Sequence, residues 1–173
     1  CIYAAMWAGL YTYGLSNGPH VGEAARDGCE LMILWATNLV STGVHSIPFI
    51  REAKERGMKL VVVDPRKTRT TMFADVHIQP KPGTDAFLAN AMIKVIVDNN
   101  LHDIDFLNEQ THGWEEFVEK VLPDYTLEEA EKITGVKAKD IEDLAIEYAK
   151  TKKSYIRANY GLNRHQNSGQ MCR

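Results

Sequence analysis

The chain has 173 residues, 45% of them apolar and 25% charged, and carries a net charge of −3. That length supports one well-cored domain of ordinary globular composition, and the charge gives no global basic field to recruit nucleic acid or acidic lipid. No apolar run reaches the roughly 18 residues that a membrane-spanning helix needs, which argues against direct membrane insertion.

In chain order, the stretch "CIYAAMWAGLYTYG" reads as an apolar helix bounded by Gly14, and "LSNGPHVGEAARDG" as a turn followed by a short helix. "ELMILWATN" carries a continuous apolar run over 31–36 that stops at Thr37 and Asn38, the signature of a strand buried on both faces. "HSIPFIREAKERG" predicts a helix with Ser46 as cap, Pro48 in the first turn and Gly57 at the end. "MKLVVVD" predicts a second buried strand, and "DVHIQPKPG" a short third one. "TDAFLANAMIKVIVDNN" predicts a helix with Leu88, Met92, Val95 and Ile96 on one face. Residues 101–133 read as short helices and loops, an insertion rather than a core layer. "KAKDIEDLAIEYAKTKK" predicts an amphipathic helix with Ile141, Leu144, Ala145 and Tyr148 on one stripe, and "SYIRANYG" a fourth strand. This alternation predicts an α/β domain over residues 1–173: a Rossmann-like parallel sheet with helices on both faces and a small helical insertion. The chain starts at Cys1 without a Met and stops at "GQMCR", and so reads as a piece excised from a longer polypeptide.

Open parallel sheets bind ligands beyond the carboxyl ends of their strands, where strand order reverses. Asn38 and Asp64 occupy such ends, and Asp64 is followed by the cations Arg66, Lys67 and Arg69. An Asp there accepts ribose hydroxyls and the cations suit phosphate; the alternative is that Asp64 caps the turn before Pro65 and the cations form a solvated face. The first strand–helix turn, "WATNLVSTGVH", lacks G-x-G-x-x-G. Asn38, Ser41, Thr42 and Gly43 could still hold a pyrophosphate through side-chain donors, backbone amides and the helix terminus, or simply form a polar loop. In "KPGTDAF", Pro82 and Gly83 make a turn and Thr84 caps the next helix. Asp85 has a use beyond capping, because a carboxylate can accept two parallel hydrogen bonds from guanine N1–H and its 2-amino group, a pair of donors adenine lacks. Asp64 and Asp85, both at strand exits, are expected to flank one groove. The three cysteines, Cys1, Cys29 and Cys172, form no C-x-x-C pair, so no iron–sulfur or zinc site is expected within the segment.

Taken in order, Trp35 to Asn38, Val61 to Thr70, Ala74 to Ile78 and Pro82 to Asp85 resemble the molybdopterin oxidoreductases of the dimethyl sulfoxide reductase family, as do "EEFVEKVLPDYTLEEAEKITGVKAKDIEDLAIEYA" and "YGLNRHQNSG". The chain departs from the family pattern at Ala36, where glycine is usual, at Leu39, where proline is usual, and by two extra residues before His45. The resemblance implies one molybdopterin guanine dinucleotide-binding domain of an enzyme that carries molybdenum or tungsten on two such groups. It implies cofactor contacts at Asn38, Ser41, Asp64, Arg66, Thr68, Gly83, Thr84 and Asp85; Arg164 and His165 either border the cofactor or simply form a polar loop. The stretch from Cys1 to Gly14 resembles the segment that follows the metal-ligand cysteine of periplasmic nitrate reductases, which makes Cys1 the implied metal ligand and catalytic residue; the alternative is a buried, inert core cysteine. A 4Fe-4S cluster would lie upstream, the remaining domains of the parent enzyme would be its partners, and an iron–sulfur electron-transfer subunit could join them. The substrate would be a nitrate, sulfur or arsenic oxyanion. The isolated segment would be inactive and would retain no cofactor. The alternative is a free-standing nucleotide-binding or interaction domain without redox activity.

Overall fold

The computed structural model describes residues 2–14 and 18–165; Cys1 and Cys172 lie outside the described residues. The chain falls into two compact units, one running to Gly83 and resuming at Thr151, the other formed by Thr84–Lys150.

The first unit holds helix α1 (Ile2–Tyr13), helix α2 (Val21–Arg26), strand β1 (Leu31–Trp35), the single turn α3 (Leu39–Thr42), helix α4 (Ile47–Glu55) and strands β2 (Lys59–Val63), β3 (Val76–Ile78) and β4 (Ser154–Ala158). The sheet is parallel throughout, in the order β3-β2-β1-β4. The predicted strands are therefore all present, and the parallel α/β class is as the alternation required. β1 is buried at every position and β2 at all but its first, which is why both read as unbroken apolar runs. On one face, Met32, Leu34, Leu60 and Val62 pack with Val21 and Ala25 of α2 and Ile50 and Ala53 of α4. Burying each such side chain contributes roughly 1.5–3 kcal/mol.

In this unit one helix end, that of α4, differs from expectation. Pro48 does sit in the first turn of α4, and Gly57, at a φ of 99°, follows its end. Ser46, however, makes no side-chain capping bond. It closes a 3-10 turn, Val44–Ser46, and already has helical dihedrals, whereas a capping hydroxyl needs an extended backbone to reach the third amide. α2 is instead capped by His20, whose Nδ1 accepts the Gly22 amide while Glu23 accepts the His20 amide.

The edge strand β3 is tied in by Asp75. Its carboxylate accepts the Leu60 amide at 2.7 Å and Lys54 Nζ at 2.7 Å, and its own amide donates to the Leu60 carbonyl. Partial burial pushes the Asp75 carboxyl up, but the Leu60 amide and Lys54 together outweigh this and hold it below its ordinary value of 3.8. A carboxylate with a depressed folded-state pKa contributes stability above the unfolded value and loses it as pH falls through the folded one. Asp75 is therefore expected to stabilise the sheet fully above about pH 4 and to lose that contribution on acidification below it. Denaturant midpoints across pH 2–6 should drop less steeply in Asp75→Asn than in the native chain; parallel curves would show that Asp75 contributes nothing.

The second unit contains α5 (Asp85–Asp98), α6 (Ile104–Gln110), α7 (Trp114–Lys120), α8 (Leu127–Thr134) and α9 (Ala138–Lys150). α5 buries Leu88, Ala91, Met92 and Val95, and α9 buries Ile141, Leu144 and Ala145. Ala91 thus takes the place in the buried stripe that the sequence assigns to Ile96. α6 and α7 bury no residue, as an insertion would, whereas Leu122, Ala130, Thr134 and Val136 are part of this unit's core. Among the described residues, no helix is long and apolar enough to cross a membrane.

Candidate functional site

In the first unit, strand order reverses at β1, which has β2 on one side and β4 on the other. The chain leaves β1 through Ala36, whose φ of 53° is left-handed. Thr37 follows, buried, and its hydroxyl accepts from Asn159 Nδ2 at 3.0 Å; the Asn159 amide donates to the Trp35 carbonyl. The exits of β1 and β4 are thereby stitched together.

Asn38 comes next. Its Oδ1 accepts the Thr70 hydroxyl at 2.8 Å, its Nδ2 donates to Ser41 Oγ at 3.1 Å, and its carbonyl accepts the amides of Ser41 and Thr42. Val40 donates its amide to Thr70 Oγ1, and Gly43 donates to the Leu39 carbonyl. The amides from Val40 to Gly43 are thus all committed to internal acceptors. The sequence-based expectation of a grip by backbone amides and a helix terminus does not match this geometry; the loop's outward donors are side chains.

At the exit of β2, Asp64 sits in a turn held from several directions. Its amide donates to the Ile78 carbonyl, its carbonyl meets His77 Nε2 at 2.8 Å, and Gln79 donates to the Pro65 carbonyl. Asp64 Oδ1 accepts the Arg66 amide at 2.8 Å. One carboxylate oxygen therefore serves the turn, as the turn-capping alternative requires, while Oδ2 takes no hydrogen bond from the described residues. Arg66, Lys67 and Arg69 are exposed and make no ion pair among the described residues. Thr68 lies among them, and its Oγ1 is buried without a hydrogen-bond partner. A buried hydroxyl without a partner is costly, so its lone donor points to a group that the described residues do not supply. A half-used carboxylate, an orphan hydroxyl and three cations without ion partners fit a ligand that offers hydroxyls and phosphate oxygens together.

Gly83 closes the first unit's last turn with a φ of 83°, and the His165 ring lies 3.6 Å from where a Cβ on Gly83 would stand. In the second unit, Thr84 occupies the cap position of α5, and its carbonyl accepts the amides of Phe87 and Leu88. Its hydroxyl makes no capping bond, because a φ of −107° and ψ of 9° are not the extended cap conformation, so the expected side-chain cap is absent. Asp85 begins α5 and is only 6% exposed. Its position in the first turn sets a carboxylate against the positive end of the helix.

Cys29 is buried and its thiol donates to the Leu31 carbonyl at 3.2 Å; burial pushes the thiol above its ordinary pKa, which makes it inert. No group of three metal-binding side chains occurs among the described residues. Sequence reasoning did not assign roles to Thr37, Thr70, His77 or Asn159, the side chains that hold these exits in place.

The fold defines a parallel α/β class with helices around a four-stranded sheet. Residues 24–173 match the molybdopterin oxidoreductase family, and the chain belongs to it. It is 40% identical over 163 residues to the "Probable oxidoreductase YoaE" of Bacillus subtilis, covering 94% of this chain and 24% of that protein. It is 35% identical over 150 residues to the assimilatory nitrate reductase catalytic subunit of the same organism, covering 87% of this chain and 21% of that one. Among solved structures, acetylene hydratase from Pelobacter acetylenicus superposes with a TM-score of 0.88 at 27% identity, over 99% of this chain and 23% of that one. The chain spans about a quarter of the length of these relatives. Membership implies a molybdenum or tungsten pterin cofactor, which the donor set at the β2 exit fits.

Proposed function

We propose that this chain is the part of a molybdenum or tungsten oxidoreductase that holds the guanine dinucleotide arm of a pterin cofactor. The observation that carries it is the orphan Thr68 hydroxyl in a segment that also holds the half-used Asp64 carboxylate and the cations Arg66, Lys67 and Arg69. Asp64 Oδ2 accepts from ribose hydroxyls. Arg66 and Thr68 donate to the diphosphate, as do Asn38 and Ser41. Gly83 and Thr84 bring the chain to the base, and Asp85 pairs with the guanine edge. When bound, the cofactor supplies oxo- and electron-transfer chemistry at its metal, and the protein orients it.

The whole enzyme acts on an oxyanion of nitrogen, sulfur or arsenic, and receives or delivers electrons through a 4Fe-4S cluster upstream and an iron–sulfur partner subunit. Cys1 is its protein ligand to the metal, because a thiolate suits a soft, sulfur-bound centre. The intact parent protein should contain molybdenum or tungsten, and should release GMP on acid hydrolysis. X-ray absorption at the metal should show one sulfur scatterer fewer in Cys1→Ala, with bound guanine nucleotide unchanged. A metal-free parent without guanine nucleotide would favour a nucleotide-binding domain without redox chemistry. An unchanged sulfur count would remove Cys1 from the metal.

A further inference from the structure

We infer that Thr70 is a positioning residue that orients the Asn38–Ser41 loop to present hydrogen-bond donors, and so selects a phosphate-bearing ligand there. The inference rests on the proposed assignment of Asn38 and Ser41 to the diphosphate. Thr70 is 1% exposed and has one proton to donate. Its oxygen receives the Val40 amide at 3.2 Å, and a backbone N–H can only donate. The Thr70 proton is therefore free for Asn38 and goes to its side chain at 2.8 Å. Only the amide oxygen of Asn38 can accept it, and a flipped Asn38 would leave the buried Thr70 proton without a partner, so Thr70 holds the direction of the Asn38 amide.

With Oδ1 held inward, Nδ2 faces Ser41 and donates to its Oγ at 3.1 Å. Ser41 then has its own proton to offer, and it is exposed. One N–H of Asn38 and the O–H of Ser41 remain as outward donors. A flipped Asn38 would instead turn a carbonyl oxygen outward and repel a phosphate. Thr70 makes this connection across 32 residues, from the exit of β2 to the exit of β1. It thereby couples the ribose-binding turn at Asp64 to the loop that meets the phosphates.

The test uses the intact parent enzyme purified without cofactor, titrated with GDP, guanosine and inorganic pyrophosphate. Thr70→Val keeps the shape and removes the hydroxyl; Thr70→Ser keeps the hydroxyl. Thr70→Val should weaken GDP and pyrophosphate by about tenfold or more and leave guanosine within about twofold, since one anion-directed donor set is lost. Thr70→Ser should restore the native value. Ser41→Ala, an exposed change that spares the buried network, should weaken GDP and not guanosine, and decides the matter if Thr70→Val does not fold. GDP binding unchanged in Thr70→Val or in Ser41→Ala, or GDP and guanosine weakened by the same factor, overturns the inference and leaves the cofactor assignment standing. A native enzyme that binds neither GDP nor pyrophosphate overturns both.

Discussion

Replacing Gly161 by alanine is expected to destabilise the first unit by about 2–3 kcal/mol, the upper part of the range for overpacking. Gly161 lies in the 3-10 turn Tyr160–Asn163 that follows β4. A Cβ built there meets the Ala36 carbonyl oxygen at 2.5 Å, the Ala36 Cβ at 2.7 Å and the Ala36 carbonyl carbon at 3.1 Å. Two of these atoms are backbone, and the Trp35 carbonyl and Thr37 hydroxyl on either side are bonded to Asn159. The β1 exit therefore cannot yield without breaking the stitch between β1 and β4. Ala36 is itself strained, since a left-handed conformation costs an L-residue about 1–2 kcal/mol. Ala36→Gly removes that strain and one of the three contacts, so the Ala36→Gly/Gly161→Ala double variant should recover part of the loss. Denaturant midpoints of the two single variants and the double variant measure the coupling. Strict additivity would show that the two exits do not press on each other.

Much of this arrangement is legible in the sequence, and the parts that are not share a cause. Buried parallel strands advertise themselves as continuous apolar runs, because both faces are dry, and "LMILW" and "KLVVV" are such runs. Strand exits follow from where those runs stop, so Asn38 and Asp64 are placed by position alone. Caps are less legible, because a Ser or Thr before a helix caps it only from an extended backbone. Ser46 and Thr84 both arrive in other conformations, which no residue type specifies. Least legible are contacts between residues far apart in the chain: Thr70 with Asn38, His77 with the Asp64 carbonyl, Asn159 with Thr37. Thr70, Thr37 and Asn159 sit in turns without periodicity, and His77 in a strand of three residues, too short to show any. The left-handed backbone of Ala36 is equally hidden, because an alanine carries no signal for positive φ where a glycine would.

Substitution of Asp85 by asparagine is expected to abolish most of the preference for guanine over adenine, and it separates base recognition from the phosphate recognition tested at Thr70. Asp85 is nearly fully buried at the first position of α5, so its carboxylate does not swing in solvent. A carboxylate offers two acceptors side by side to guanine N1–H and the 2-amino group. Asparagine of the same size offers one acceptor and a donating amide that opposes a guanine donor. The loss of one charge-assisted hydrogen bond is worth about 1.5–3 kcal/mol, or roughly ten- to a hundredfold in affinity. Removing the charge from the first turn also costs about 0.3–1 kcal/mol of helix stability, which melting curves of the unliganded protein read separately. In the intact enzyme without cofactor, the ratio of GDP to ADP affinity should therefore fall from at least about ten towards one in Asp85→Asn. The ratio of GDP to guanosine affinity should stay as it is, because the phosphate donors are untouched. A GDP-to-ADP ratio that survives Asp85→Asn would assign guanine selection to another residue.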